Sequence, residues 1–151
     1  MRTAVELLPS RPGTYVLALS MQHKKTIQIG KLGRIHFCSG VYAYVGSALG
    51  PGGLAARLKR HLRRSSSSHW HIDYLLEYTR VEIIWMATGR QRREHQWATA
   101  LEDLGVSATP IQGFGCSDCR CYSHLFHFSA MPSTERIGRI LGPVLQWRPG
   151  G

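Results

Sequence analysis

The chain has 151 residues with 19 Lys+Arg against 9 Asp+Glu, a formal charge of +10 before any of its eight histidines is counted. That length makes one domain over residues 1–151, and 43% hydrophobic against 19% charged residues supplies a core and excludes an intrinsically disordered chain. No apolar run reaches the ~18 residues that span a bilayer, and Glu6 and Pro9 interrupt any signal-peptide core, so the expectation is a soluble, cytoplasmic protein with no membrane partner.

Residues 14–20 (TYVLALS), after Pro12-Gly13, and 26–30 (TIQIG), after a polar turn, read as two strands of a hairpin. Residues 31–34 read as a further turn, and the aromatic, β-branched run at 41–45 predicts a third strand. The SALGPGG run at 47–53 must turn. Leu54, Leu58 and Leu62 then recur at i, i+4 and i+8, which predicts a helix over 54–64 with its apolar stripe inward. After a serine run at 65–68, too short for an interdomain linker, residues 71–78 read as a short helix and 81–87 as an apolar strand. A third helix is expected over 90–104, with Trp97, Ala98, Leu101 and Leu104 inward and Gly105 as its stop. A strand near 107–111 follows, then a glycine- and cysteine-rich loop that with His124 covers 113–124. A strand near 124–129, a short helix N-capped by Ser133 and a frayed tail at 147–151 complete the chain. No internal repeat is present, which excludes a solenoid.

The cationic excess fits a polyanionic partner, because neutralising phosphates releases condensed counterions. Arginine supplies 15 of the 19 cations, and its planar fork suits phosphate oxygens. The densest stretch is the helix after Gly53: Arg57, Lys59, Arg60, Arg63 and Arg64, with His61 among them and no interleaved acid, which favours phosphate over a merely solvated face. Arg57 and His61 stand one helical turn apart, about 6 Å, close enough to address one phosphate. The glycines at 50–53 either present backbone N–H groups to an anion or form a plain strand-to-helix turn.

Glu94 is the only acid between Glu82 and Glu102 and sits among Arg90, Arg92, Arg93 and His95, beside the inward stripe. A carboxylate at the core margin either meets a divalent cation or pairs with one of those arginines. Tyr15, Tyr42 and Tyr44 belong to strands, where tyrosine is common; near a metal or arginine a phenol becomes a candidate base. Cys116, Cys119, Cys121 and His124 suffice in number for tetrahedral zinc, but the spacing is unlike a pair of CxxC knuckles, which favours a structural loop of small buried thiols over zinc and zinc over a redox pair. Three of the four cysteines lie within six positions, which argues for reduced thiols and against a disulfide framework.

Gly13-Thr14-Tyr15, Tyr44-Val45-Gly46, Arg57 with His61, and Glu94 resemble, in order and element type, the GIY-YIG nuclease superfamily. The stretches IGKLG at 29–33, YAYVGSA at 42–48, RLKRH at 57–61, HWHIDYL at 69–75 and GFGCSDCRCYSHL at 113–125 are similar to an uncharacterised branch of it, found alone or fused to endonuclease III-like DNA glycosylases. The resemblance runs from about Gly13 to Phe128. It implies an α+β fold, a small, mainly antiparallel sheet flanked by helices, and hydrolysis of DNA phosphodiester bonds with one divalent metal, in DNA repair or processing. Residue by residue it implies that Glu94 binds Mg²⁺ or Mn²⁺, that Arg57 stabilises charge on the scissile phosphate, that Tyr15 and Tyr44 line the site with one of them activating or positioning water, and that His61 assists. Lys59, Arg60, Arg63, Arg64, His69 and His71 would contact the DNA, which could be single-stranded, branched or damaged, with a DNA glycosylase as an associated partner. The superfamily's asparagine after the metal glutamate has no counterpart, the chain having no asparagine, and Asp118 or His124 stands as its replacement. The competing readings are a non-catalytic nucleic-acid-binding module and a zinc-stabilised interaction domain.

Overall fold

The computed structural model describes residues 7–63, 70–103, 109–116 and 123–149. Its strands are β1 (Gly13–Met21), β2 (Lys25–Gln28), β3 (Arg34–Phe37), β4 (Gly40–Ala48), β5 (Arg80–Thr88), β6 (Thr109–Pro110), β7 (Leu125–Phe128) and β8 (Leu145–Trp147). Its α-helices are α1 (Gly53–Leu62), α2 (His71–Leu76), α3 (Glu94–Glu102) and α4 (Thr134–Leu141). The main sheet has six strands in the order β6-β7-β4-β1-β5-β8, every pairing antiparallel, and β2 and β3 form a separate ribbon. The fold is α+β, as the sequence led us to expect.

β1 is apolar along nearly its whole length because helices cover both faces of the sheet. Tyr15, Leu17 and Leu19 point toward α1 and α2, where Leu54, Leu58, Ile72 and Leu75 close one core. Val16 and Ala18 point the other way, into a second core with Trp97, Ala98 and Leu101 of α3 and Ile137 and Leu141 of α4. The period of two in the strand thus divides the protein into two layers of packing.

Four expectations are corrected. β1 and β2 are not a hairpin: β1 pairs with β4 and β5, and β2 pairs with β3. The turn read at 31–34 is present as a 3-10 turn at Gly30–Leu32 closed by Gly33, but Arg34 already begins β3, a strand the sequence did not announce. α3 starts at Glu94, not Arg90, so residues 90–93 are a loop and Glu94 falls in the helix's first turn. The chain does not fray at Trp147, which is 9% exposed and pairs with Ile84 at the sheet edge. Leu104, Gly105 and the serine run at 65–68 lie outside the described residues.

Candidate active site

β1 and β4 run side by side, so the two tyrosines that stand 29 positions apart in the chain come close together: Leu17 faces Tyr44, and Tyr15 faces Gly46. β7 pairs with β4 only from Val41 to Tyr44, with one further bond from Val45 N–H to His124 O at 2.9 Å. Past that point the outer edge of β4 has no strand beside it among the described residues, and a polar cleft of about 370 Å³ opens there. Its walls come from both layers: Arg57 and His61 of α1 and Trp70 from one side, Arg92, Glu94 and His95 around the start of α3 from the other. Tyr15, Tyr44, Ser47 and His124 lie between them.

The outer-edge carbonyl of Ser47 accepts a hydrogen bond from Arg57 Nη1 at 3.1 Å. The Arg57 guanidinium lies 4.5 Å from the centroid of the Trp70 ring, and that of Arg60 lies 4.0 Å from the same ring. Arg60 in turn makes a bidentate pair with Asp73, both N–H···O distances 3.1 Å. Asp73 Oδ2 also accepts from Trp70 N–H at 2.9 Å, which fixes the residue before α2. Asp73, Arg60, Trp70 and Arg57 therefore form one continuous chain of contacts that ends in the cleft. Arg57 itself has no carboxylate partner among the described residues.

His61 does not stand in solvent beside Arg57. It is 3% exposed, and its Nε2 is hydrogen-bonded to Tyr15 Oη at 2.7 Å. Burial pulls the imidazole down to about 4, and Arg57 and Arg60 push the same way against the attraction of Asp73. Burial raises both phenols, Tyr15 and Tyr44, well above their ordinary values, an effect that Arg57 partly opposes. At neutral pH the buried pair is thus a phenol on a neutral imidazole. Tyr42 lies elsewhere: it is buried, donates to Cys38 O at 2.7 Å and does not line the cleft.

Glu94 is the one acid among the described residues that line the cleft. Its only ion-pair contact among them is His95 Nε2 at 3.8 Å, so none of the neighbouring described arginines takes it. A metal cage is absent: among the described residues no group of three or more His, Cys, Asp or Glu surrounds a common point. The donor set fits a cation that keeps most of its water and takes phosphate oxygens with one protein carboxylate, as Mg²⁺ does.

His124 reaches the cleft with Nδ1 directed at Val45 O, 3.3 Å away; a carbonyl only accepts, so Nδ1 carries the proton. Its ring packs edge-on to His95, centroids 5.7 Å apart, and burial lowers its pKa. His71, expected to contact DNA, accepts at Nδ1 a hydrogen bond from Gly115 N–H at 2.8 Å and packs against Phe114, tying α2 to the loop that walls Tyr44. In the glycine turn before α1, the N–H groups of Gly53, Leu54, Ala55 and Ala56 donate to Gly50 O, Arg11 O, Pro9 O and Gly52 O at 3.1, 2.8, 2.7 and 3.3 Å, so the first turn of the helix has none of these four to offer a phosphate. Gly53, at φ +59°, admits this approach because a Cβ there would stand 2.3 Å from Arg11 O. Lys59 and Arg63 line a neighbouring groove on the outside of α1, together with Arg60. Cys116 donates to Phe114 O at 3.4 Å. Arg64, His69, Asp118, Cys119 and Cys121 lie outside the described residues. The sequence reading missed Trp70, Arg92 and His95 as cleft residues.

The chain belongs to the family described as domain of unknown function DUF123, whose model matches residues 14–142. No curated protein and no solved structure matches it.

Proposed function

We propose that this protein is a divalent-metal-dependent endonuclease of GIY-YIG type that hydrolyses DNA phosphodiester bonds. The observation that carries the reading is the meeting of Glu94, from one helical layer, with Arg57, Tyr15 and His61, from the other, on a single polar cleft.

The Tyr15–His61 pair serves as the base. Tyr15 Oη takes a proton from the attacking water while its own proton passes to Nε2 of His61. Burial disfavours both a phenolate and an imidazolium, and the paired transfer keeps the phenolate from standing alone. Arg57, held by Ser47 O and Trp70, aims its remaining N–H donors at the non-bridging oxygens, where charge gathers in the transition state. Tyr44 remains a phenol and donates a hydrogen bond to the phosphate. Glu94 would hold Mg²⁺ or Mn²⁺, which when bound supplies Lewis-acid stabilisation and a more acidic water.

The test is cleavage of end-labelled single-stranded, duplex and branched DNA with each metal, beside Glu94→Gln and Arg57→Ala. The wild type cuts at least one form only when metal is added; Glu94→Gln abolishes cutting but keeps its affinity for DNA within about twofold, since the carboxylate repels rather than attracts phosphate. Cutting that survives Glu94→Gln would end the proposal. A wild type that binds DNA and cuts none of these forms with either metal would leave a non-catalytic binding module.

A further inference from the structure

Residues 7–72 hold ten of the nineteen Lys+Arg and none of the nine Asp+Glu, so this segment carries the whole charge excess of the chain. Part of it lies on α1 at the cleft; another part lies on the β2–β3 ribbon. Ile27 and Phe37 of the ribbon are buried and Ile35 packs against the same core as α1 and α2. The opposite face is entirely exposed and polar: Thr26 stands across from His36, and Gln28 across from Arg34. Lys24 precedes the ribbon, Lys25 opens β2 and Lys31 sits in the tip, all exposed. Lys25 lies over the Tyr78 ring, whereas Lys31 and Arg34 have no acidic partner among the described residues. Uncompensated cations on so small a ribbon repel one another, and a polyanion is what relieves that repulsion.

The ribbon also lies where it could extend a cleft-bound substrate. Leu32 in its tip packs under Gly113, where a Cβ would stand 3.1 Å from Leu32 Cδ1, and Gly115 two residues on lines the cleft. Gly30 rests against Tyr74 of α2, which holds the tip in the same layer as Arg57. A two-stranded ribbon fits the major groove, and its four residue pairs extend about 10 Å, the rise of about three base pairs. Gln and Arg are also side chains that read base edges with two hydrogen bonds at once.

We propose that the outward face of the β2–β3 ribbon is a second nucleic-acid contact, which enters the major groove of a duplex arm beside the cleft. Gln28 and Arg34 meet base edges, and Lys24 and Lys31 meet the flanking phosphates. This rests on the reading of the cleft as a DNA site and narrows its substrate to DNA with a double-stranded segment next to the cut.

The experiment measures affinity by fluorescence anisotropy, in EDTA so that nothing is cut, for a labelled 20-base-pair duplex and a labelled single strand, over a range of salt. Lys31→Ala/Arg34→Ala is compared with Arg136→Ala/Arg139→Ala, which removes equal charge from α4 in the other layer. The ribbon variant should bind the duplex about tenfold more weakly, with a log–log salt slope shallower by about one, since Lys31 is the phosphate contact removed and Arg34 the base contact, and hold the single strand within about twofold; the α4 variant should match wild type. Thermal melting of both variants checks that the fold is intact, and Gln28→Ala, which leaves the charge unchanged, should weaken duplex binding without moving the salt slope. Wild-type duplex affinity in the ribbon variant, or equal losses on duplex and single strand, overturns the proposal, as does a wild type that binds no duplex. Absence of cleavage alongside a ribbon-specific loss of duplex binding would remove the nuclease reading and leave the ribbon contact standing.

Discussion

Gly46 lies directly opposite Tyr15 in the β1–β4 ladder, and the phenol covers it so closely that a Cβ on Gly46 would stand 2.5 Å from both Cζ and Oη of Tyr15. Gly46 is therefore the floor on which Tyr15 rests. That tyrosine is 1% exposed and bonded to His61, so it has no room to retreat.

Gly46→Ala is accordingly expected to cost about 1–3 kcal/mol of stability, the range for overpacking a closed core, and to displace Tyr15 from His61. Gly138, inside α4, is the control: a Cβ there meets nothing within 4 Å. Gly138→Ala should gain about 0.5–1 kcal/mol, from the better helix propensity of alanine. Urea denaturation of the two variants decides the matter; a Gly46→Ala protein as stable as its parent would mean the ring is not seated on that backbone.

His61 makes stability depend on pH. Burial holds its folded-state pKa at about 4, below the ordinary 6.5 of the unfolded chain. Between those values the unfolded chain binds a proton that the folded protein refuses, so stability falls as pH drops from about 6.5 to about 4 and this contribution then levels off. The difference corresponds to roughly 3 kcal/mol. His71 and His124, lowered by burial too, act in the same direction. His61→Gln, which does not titrate in this range, should flatten the pH profile of the unfolding free energy. Parallel profiles for wild type and variant would refute the assignment.

Much of this was legible in the sequence wherever the signal is local. The leucines at 54, 58 and 62 announce α1, and the same stripe, continued three residues from Leu58, would have turned His61 inward had it been followed. Strand partners are not local. Residues 14–20 and 26–30 are near neighbours with strand character, which makes a hairpin the natural inference; only the whole sheet shows β1 between β4 and β5. Gly33 masked the start of β3, and the nearness of Trp147 to the chain end hid its pairing with Ile84. In the site, the identities of Tyr15, Arg57 and Glu94 were readable, but their meeting depends on β7 stopping short along β4, which no spacing encodes. Trp70 stands in the HWHIDYL stretch of the resemblance, but nothing local gives it a role, because its importance lies in what rests on its ring.

Two guanidiniums share that ring, and the indole should matter to catalysis without touching the phosphate. Trp70→Ala removes the surface that holds Arg57 and Arg60; each such contact at a half-exposed site is worth about 0.5–1 kcal/mol. If DNA is cut as proposed, the variant should turn over about five- to thirtyfold more slowly, through kcat more than KM, and Trp70→Phe should recover most of the loss. An equal loss in both variants would instead point to the indole N–H, which neither alanine nor phenylalanine replaces.

His71 separates a structural histidine from a DNA contact. Its Nδ1 accepts the Gly115 N–H, so His71→Phe keeps the ring against Phe114 but strands a backbone donor, at a cost of about 1–3 kcal/mol. The loop at Gly115 packs on Tyr44 and His124, so activity should fall with the loosened wall, while DNA affinity stays near that of wild type. Burial lowers the pKa of His71 below the ordinary 6.5, and protonation removes the acceptor, so the protection factor of the Gly115 amide in hydrogen exchange should hold from pH 7 through 6.5 and fall only at more acid pH. Exchange at Gly115 that His71→Phe leaves unchanged, together with a drop in DNA affinity as large as that of Arg57→Ala, would return His71 to the nucleic-acid surface.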